Sequence, residues 1–251
     1  MPNESIFTGK AADYTFGRPG YAPEAAAMIA ENLLRPGGAV ADVGAGTGIL
    51  AREFIRRGIN TYCVEPNADM RAQAEAALGG DAHFHMLAAP AEHTTLPDGS
   101  MALITAASAF HWFDVDAFAA ECARVLEPDG QVCILLNARD YTDEFTQRQH
   151  VLCEKYCSGF TSLKHGLIKT ERAAPRFFGE GMRRAEWAFP LAYTRERFIR
   201  RSLSSSYAPR PDQAEYDAYV AGLNALMDEM GMVEEFVLPN LTVMFYGRPR
   251  A

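Results

Sequence analysis

The chain has 251 residues, 48% of them hydrophobic, 11% aromatic and 22% charged, with a net charge of −8. That composition argues for one substantial folded core and against disorder, and no apolar run is long enough to span a bilayer. The acidic balance argues against nucleic acid or an anionic membrane as partner, because phosphate binding needs a positive field. The cysteines, Cys63, Cys122, Cys133, Cys153 and Cys157, are odd in number in a chain of this size. They read as reduced thiols, not a disulfide framework. The opening Met1-Pro2-Asn3-Glu4 lacks the basic-then-apolar pattern of a signal peptide, so a cytoplasmic location is expected.

Residues 1–22 read as an N-terminal arm, loosely structured over 1–20. Pro23 then opens a helix to Leu34, ended by Pro36-Gly37-Gly38. The apolar run Ala39 to Val43 predicts a buried strand. A glycine-rich turn, Gly44 to Gly48, leads to a helix from Ile49 to Arg57, stopped by Gly58. A second strand is expected over Asn60–Val64, a helix over Ala68–Leu78 and a short strand over His83–Leu87. After the turn Pro97-Asp98-Gly99 comes a fourth strand, Met101–Ala107. Asp114 caps a helix running to Leu126, and Pro128-Asp129-Gly130 turns into a fifth strand, Gln131–Leu136. Strands and helices thus alternate over residues 23–138. That pattern predicts parallel βαβ units with ligands at the carboxyl ends of the strands. From 139 the alternation stops. Residues 139–180 read as mixed and mainly helical, Arg184–Tyr193 as a strand, Arg195–Leu203 and Asp212–Met230 as helices, and Phe236–Tyr246 as a final strand. Arg195, Arg197, Arg200 and Arg201 read as a solvated helix face.

The most informative stretch is Ala41-Asp42-Val43-Gly44-Ala45-Gly46-Thr47-Gly48. A buried strand runs into alternate glycines and then a helix. Glycine there permits a sharp turn and lets a ligand approach without meeting a Cβ. A dinucleotide-binding turn, G-x-G-x-x-G, would need glycine where Ile49 stands. The spacing therefore disfavours an NAD(P)-dependent oxidoreductase. Glu65, at the end of the second strand, can accept hydrogen bonds from both hydroxyls of a ribose.

Further motifs follow in order: Ala91-Glu92, Leu96-Pro97-Asp98-Gly99-Ser100, and Ser108-Ala109-Phe110-His111-Trp112-Phe113, with Tyr14 and Arg18-Pro19-Gly20-Tyr21 upstream. Together with the glycine loop and Glu65, they resemble the class I methyltransferases that depend on S-adenosylmethionine (SAM). The likeness is to the small-molecule branch that includes the ubiquinone, biotin-pathway and trans-aconitate methyltransferases, and it covers about residues 7–138. One departure is Thr94-Thr95-Leu96, a residue longer than the family spacing.

The resemblance implies an α/β fold: a Rossmann-like sheet, mostly parallel with an antiparallel last strand, and helices on both faces. Residues 1–22 would be a lid, 23–138 the SAM-binding core, and 139–251 substrate-cap helices plus the last two strands of the same sheet. SAM would be the cofactor, S-adenosylhomocysteine (SAH) the product, and a small molecule the acceptor, through a carboxylate or hydroxyl oxygen. Gly44, Gly46 and the backbone at Ala45 would line its methionine and ribose, with Asp42 beneath them. Glu65 would take the ribose diol, Pro66 would flank the adenine, and Ala91 and Glu92 would meet its edge. Ala107 and Ser108 would border the methionyl portion. Tyr14 and Arg18 would belong to the lid, with Arg18 able to meet the SAM carboxylate. A protein that binds SAM without turnover carries the same motifs.

His111, just beyond the fourth strand, is the candidate base; packing at a helix entrance is its other reading. Trp112 reads as a core anchor. Acceptor selection falls to the later segment, where Tyr141, Tyr156, Phe160, His165, Ser206 and Tyr207 offer aromatic walls and polar groups. His150, Cys153 and Cys157 share a helical face near His165, but without paired C-x-x-C motifs no metal is expected. Residues 202–207 contain no G-x-S-x-G elbow, which argues against a hydrolase. Nothing in the sequence specifies an oligomeric state.

Overall fold

A computed structural model describes residues 9–250, the side chain of Ala12 excepted. In chain order the strands are β1 (Val40–Val43), β2 (Thr61–Val64), β3 (Phe84–Leu87), β4 (Met101–Ala107), β5 (Leu126–Arg139), β6 (Arg183–Ala188), β7 (Leu191–Thr194), β8 (Glu235–Leu238) and β9 (Asn240–Gly247). Seven form one sheet in the order β3-β2-β1-β4-β5-β9-β6. The pairs among β3, β2, β1, β4 and β5 are parallel. β9 runs antiparallel to both β5 and β6. The last strand in the chain is therefore the antiparallel one, and it lies one strand in from the edge.

β1 is buried along its whole length, as a strand covered on both faces must be. Successive side chains serve opposite layers. Ile104, Ala106, Ile134 and Leu136 pack under α5 (Val115–Val125) and α7 (His165–Phe178). Leu103, Cys133 and Leu135 pack under α2 (Pro23–Met28) and α3 (Ala51–Ile55). α4 (Ala68–Leu78) closes a smaller cluster with α3 and β2. Asp114 caps α5 by accepting from the N–H groups of Asp116 and Ala117.

Several expectations need correction. α2 passes into a π turn over Ile29–Leu33, and α3 is shorter than the pattern 49–57. β5 starts at Leu126, so Pro128-Asp129-Gly130 is absorbed into an irregular strand opening, with a register break against Met101 and Leu103. Neither late strand is single. Each is cut at a proline, Pro190 or Pro239, which has no N–H to continue a ladder. Only β6 and β9 join the main sheet; β7 and β8 pair in a separate two-stranded one. α6 (Glu144–Tyr156), α8 (Arg195–Leu203) and α9 (Tyr216–Glu229) gather with that two-stranded sheet around their own core, including Phe145, Tyr193, Phe198, Tyr219 and Phe236. Cys153 and Cys157 belong to that core, and His150 lies against Tyr141 and Glu154. All five cysteines are free and buried.

The arm is more ordered than its sequence suggests. Residues 1–8 lie outside the described residues, but Ala11–Gly17 form α1, docked on α8. Lys10 is buried and its ammonium donates to the carbonyls of Ser205 (2.7 Å) and Ala208 (2.9 Å). Gly17 lies directly on the backbone of Arg201. The arginine face is paired more than solvated: Arg195 meets Asp228, Arg200 meets Asp13 and Glu196, and Arg201 is buried over the Tyr193 ring.

Candidate functional site

Two cavities open at the carboxyl ends of the parallel strands. The first, of about 230 Å³, lies over the glycine loop. That loop is tied to the end of β2, since the N–H groups of Gly44 and Ala45 both donate to the Val64 carbonyl. Gly44 has φ +68°, and a Cβ there would come within 2.5 Å of the Ala109 Cβ. Gly46 has φ +57°, and a Cβ there would meet only Tyr14, at 3.9 Å, so it would project into the open space. Gly44 is thus required by packing, and Gly46 keeps the cavity open.

Glu65 clamps the loop. Its Oε2 accepts from the Gly46 N–H and its Oε1 from the Asn67 N–H, both at 2.9 Å. Beneath the loop, Asp42 accepts from the Thr105 hydroxyl at 2.7 Å through Oδ1, while its Oδ2 has no hydrogen-bond partner among the described residues. Burial pushes this carboxyl up to about 7, the Thr105 hydrogen bond opposing and the Glu65 charge adding. On the far wall, Glu92 Oε1 accepts from the Asp114 N–H. The extra residue of Thr94-Thr95-Leu96 is taken up by Thr95 at φ +64°, with Thr94 held by Glu121 at 2.7 Å (N–H) and 2.6 Å (hydroxyl).

The second cavity, of about 140 Å³, lies beyond Tyr14, Ser108 and Trp112, which border both. Ser108 has φ +55°, a backbone state that non-glycine residues seldom adopt. It is fixed by its N–H on the Leu135 carbonyl (2.7 Å) and its hydroxyl on Tyr21 (3.0 Å). Burial raises both Tyr14 and Tyr21 above the ordinary phenol range, so both stay protonated. His111 lines this cavity with its Nδ1 buried and unpartnered among the described residues. Burial pulls its pKa down to about 3, helped by the positive charges of His165, Lys169 and Arg18.

Residues 41–134 match a family described as a methyltransferase domain. An uncharacterized methyltransferase of Mycobacterium bovis is 36% identical over 127 residues, 51% of this chain and 50% of its own. The biotin biosynthesis bifunctional protein of Bordetella avium is 35% identical over 116 residues, 45% of this chain and 24% of its own. The chain spans about half the length of the first of these curated relatives. Among solved structures, a proposed type II methyltransferase of Anaeromyxobacter dehalogenans superposes with a TM-score of 0.68 over 92% of this chain and 97% of its own, at 20% identity. At that identity the likeness bears on the fold.

Gly44, Gly46, Glu65, Pro66, Ala91, Glu92, Ala107 and Ser108 line the first cavity, and Tyr14 closes it from α1. Asp42 is beneath it and not in its wall. Ala45 points away, onto Ala51, Ile55, Cys63 and Leu78. Arg18 stands in the second cavity instead, drawn there by its Nε donating to Ser204 Oγ (3.0 Å) and by its stacking over Tyr14. His111 is neutral, as a base must be, but its low pKa makes it a weak proton acceptor. Trp112 is half-buried cavity wall, not simply a core anchor. Of the expected acceptor residues, His165, Ser206 and Tyr207 line the second cavity. Tyr141 supports it from behind, accepting from the Leu163 N–H at 2.8 Å, while Tyr156 and Phe160 pack on the cap core. Asn67, Met70, Phe113 and Lys164 were not anticipated; the first two follow Glu65 closely enough to have been suspected.

Proposed function

We propose that this chain transfers the methyl group of SAM to an oxygen of a small molecule seated in the second cavity. The observation that carries this reading is the shared wall. Two cavities meet at Tyr14, Ser108 and Trp112, one over the glycine loop of a methyltransferase domain and one open for an acceptor. When bound, SAM supplies an electrophilic methyl on a sulfonium. The first cavity suits such a cation: Glu65 and Glu92 line it, and no basic residue among the described ones does. The same acids would repel a pyrophosphate, which counts further against a dinucleotide.

Glu65 accepts from the ribose diol, Pro66, Ala91 and Glu92 border the adenine, and Asp42 supports the loop from beneath through Thr105. Tyr14 roofs the site from α1 and excludes water. The second cavity holds the acceptor in line, a service that can supply on the order of 7–11 kcal/mol of the barrier. A carboxylate acceptor needs no base, which agrees with the weak basicity of His111. The open second cavity favours turnover over mere SAM binding, and the net charge of −8 argues against a nucleic acid acceptor. The test is binding and turnover. SAH at a hundred times its Kd should stabilise the fold by about 2.7 kcal/mol. SAM should be converted to SAH in the presence of small carboxylic acids or alcohols. A thermal shift with NADH and none with SAM or SAH would overturn the reading.

A further inference from the structure

The two cavities carry opposite charge. In a protein of net charge −8, the second cavity is lined by Arg18 and Lys164, and by no acidic side chain among the described residues. Neither cation is ion-paired among the described residues: Arg18 donates its Nε to Ser204, and Lys164 lies over the Tyr141 ring. The positive end of α7 opens into the same space. Helices leave their first amide groups unsatisfied, and that end attracts anions. Here the N–H of Lys164 is taken by the Ser162 hydroxyl and that of His165 by the Ser162 carbonyl. Those of Gly166 and Leu167, both in the cavity wall, find no acceptor among the described residues.

A second, independent feature points at the same spot. The buried Nδ1 of His111 has no partner among the described residues, and the His111 ring faces Gly166 so closely that a Cβ there would lie 3.1 Å from it. Only glycine leaves the helix start uncovered beside that ring. Unpaired cations, unspent amides and an unpartnered imidazole converge on one small volume.

We infer that the second cavity recognises an acceptor by an oxyanion group, carboxylate or phosphate, held by Lys164, Arg18 and the N–H groups of Gly166 and Leu167. This rests on reading that cavity as the acceptor site. It assigns the substrate class as small organic anions and gives Lys164 a specificity role.

The test titrates the protein, with and without saturating SAH, with malonate, inorganic phosphate and neutral malonamide by calorimetry. Malonate or phosphate should bind and malonamide should not; which anion binds more tightly distinguishes a carboxylate seat from a phosphate seat. Lys164→Met should raise that Kd about tenfold or more, and Lys164→Glu should abolish binding. The Kd for SAH should stay within about twofold of wild type in Lys164→Met, since Lys164 lines only the second cavity. Failure of both anions to bind, equal binding of malonamide, or unchanged anion affinity in both Lys164 variants would overturn the inference. A Lys164→Met variant that loses SAH and anion together would assign Lys164 to the cofactor and overturn it too. Anion binding without any SAH binding would instead refute the methyl-transfer reading and leave the anion seat standing.

Discussion

At Gly17 α1 meets the backbone of α8, and that contact offers a direct way to lift the roof. A Cβ at this position would lie 2.4 Å from the Arg201 backbone nitrogen, 2.6 Å from its Cα and 2.9 Å from the Arg200 carbonyl carbon. Those are backbone atoms, so no side chain can swing aside. The docked helix must retreat by about an ångström or let go, at a cost of about 1–3 kcal/mol for overpacking. If Tyr14 roofs the cofactor cavity, Gly17→Ala should weaken SAH binding roughly 5- to 150-fold, the same cost read as an affinity. Isothermal titration measures it, and hydrogen exchange over residues 11–17 should rise in the variant. Gly20→Ala is the control, because a Cβ there meets nothing within 4 Å. An SAH affinity within twofold of wild type, with α1 as protected as before, would refute the argument that this docking serves the site.

Three other outcomes are expected. Glu65→Ala should weaken SAH binding by about 1–3 kcal/mol and free the Gly46 and Asn67 amides, while Glu65→Gln, which keeps one carbonyl acceptor, should lose less; equal affinities in calorimetry for all three proteins would place the ribose elsewhere. Folding raises the Asp42 pKa from 3.8 to about 7, so its contribution to stability is full below about pH 4 and is lost as pH rises through 7, a change on the order of 4 kcal/mol. Urea unfolding of wild type and Asp42→Asn should therefore show the wild type losing ground to the variant between those limits; a constant difference would mean the carboxyl is ionised throughout. With the His111 pKa near 3, the ratio of wild-type to His111→Ala kcat should be flat from pH 5 to 9 in a SAM turnover assay, and an inflection near 6.5 would show the imidazole titrating after all.

What could be read in advance was what depends on neighbours in sequence. Val40–Val43 is buried on every side, so it shows as an apolar run, and the turn after it needs glycine for local reasons of backbone and packing. Glu65 was legible because it ends the next strand. The order of α1 was not, since it depends on Lys10 reaching the carbonyls of Ser205 and Ala208 and on Gly17 meeting Arg201, contacts across almost the whole chain. The same distance effect moved Arg18 into the second cavity, through Ser204. His111 was identifiable by position, but its basicity is set by burial and by His165, Lys169 and Arg18. Lys164 is one of several cations in a mixed segment and gains meaning only because α7 begins beside it. The breaks at Pro190 and Pro239 were present in the sequence and outweighed by the β-rich residues around them.

The cap is attached to the sheet in a particular way. Ala188 and Leu241 face each other as a pair in the β6–β9 ladder, and the Phe189 N–H donates to the Asn240 carbonyl at 2.7 Å. Everything from 189 to 240, including β7, α8, α9 and β8, leaves and re-enters the sheet at adjacent points. Such a segment is a cassette. It can lengthen, shorten or be exchanged for another without shifting the register of a single strand, because a tight turn would close the same gap. The stretch that supplies Ser205, Ser206 and Tyr207 to the second cavity can therefore diverge while every strand keeps its register, so long as α8 goes on seating α1 at Arg201.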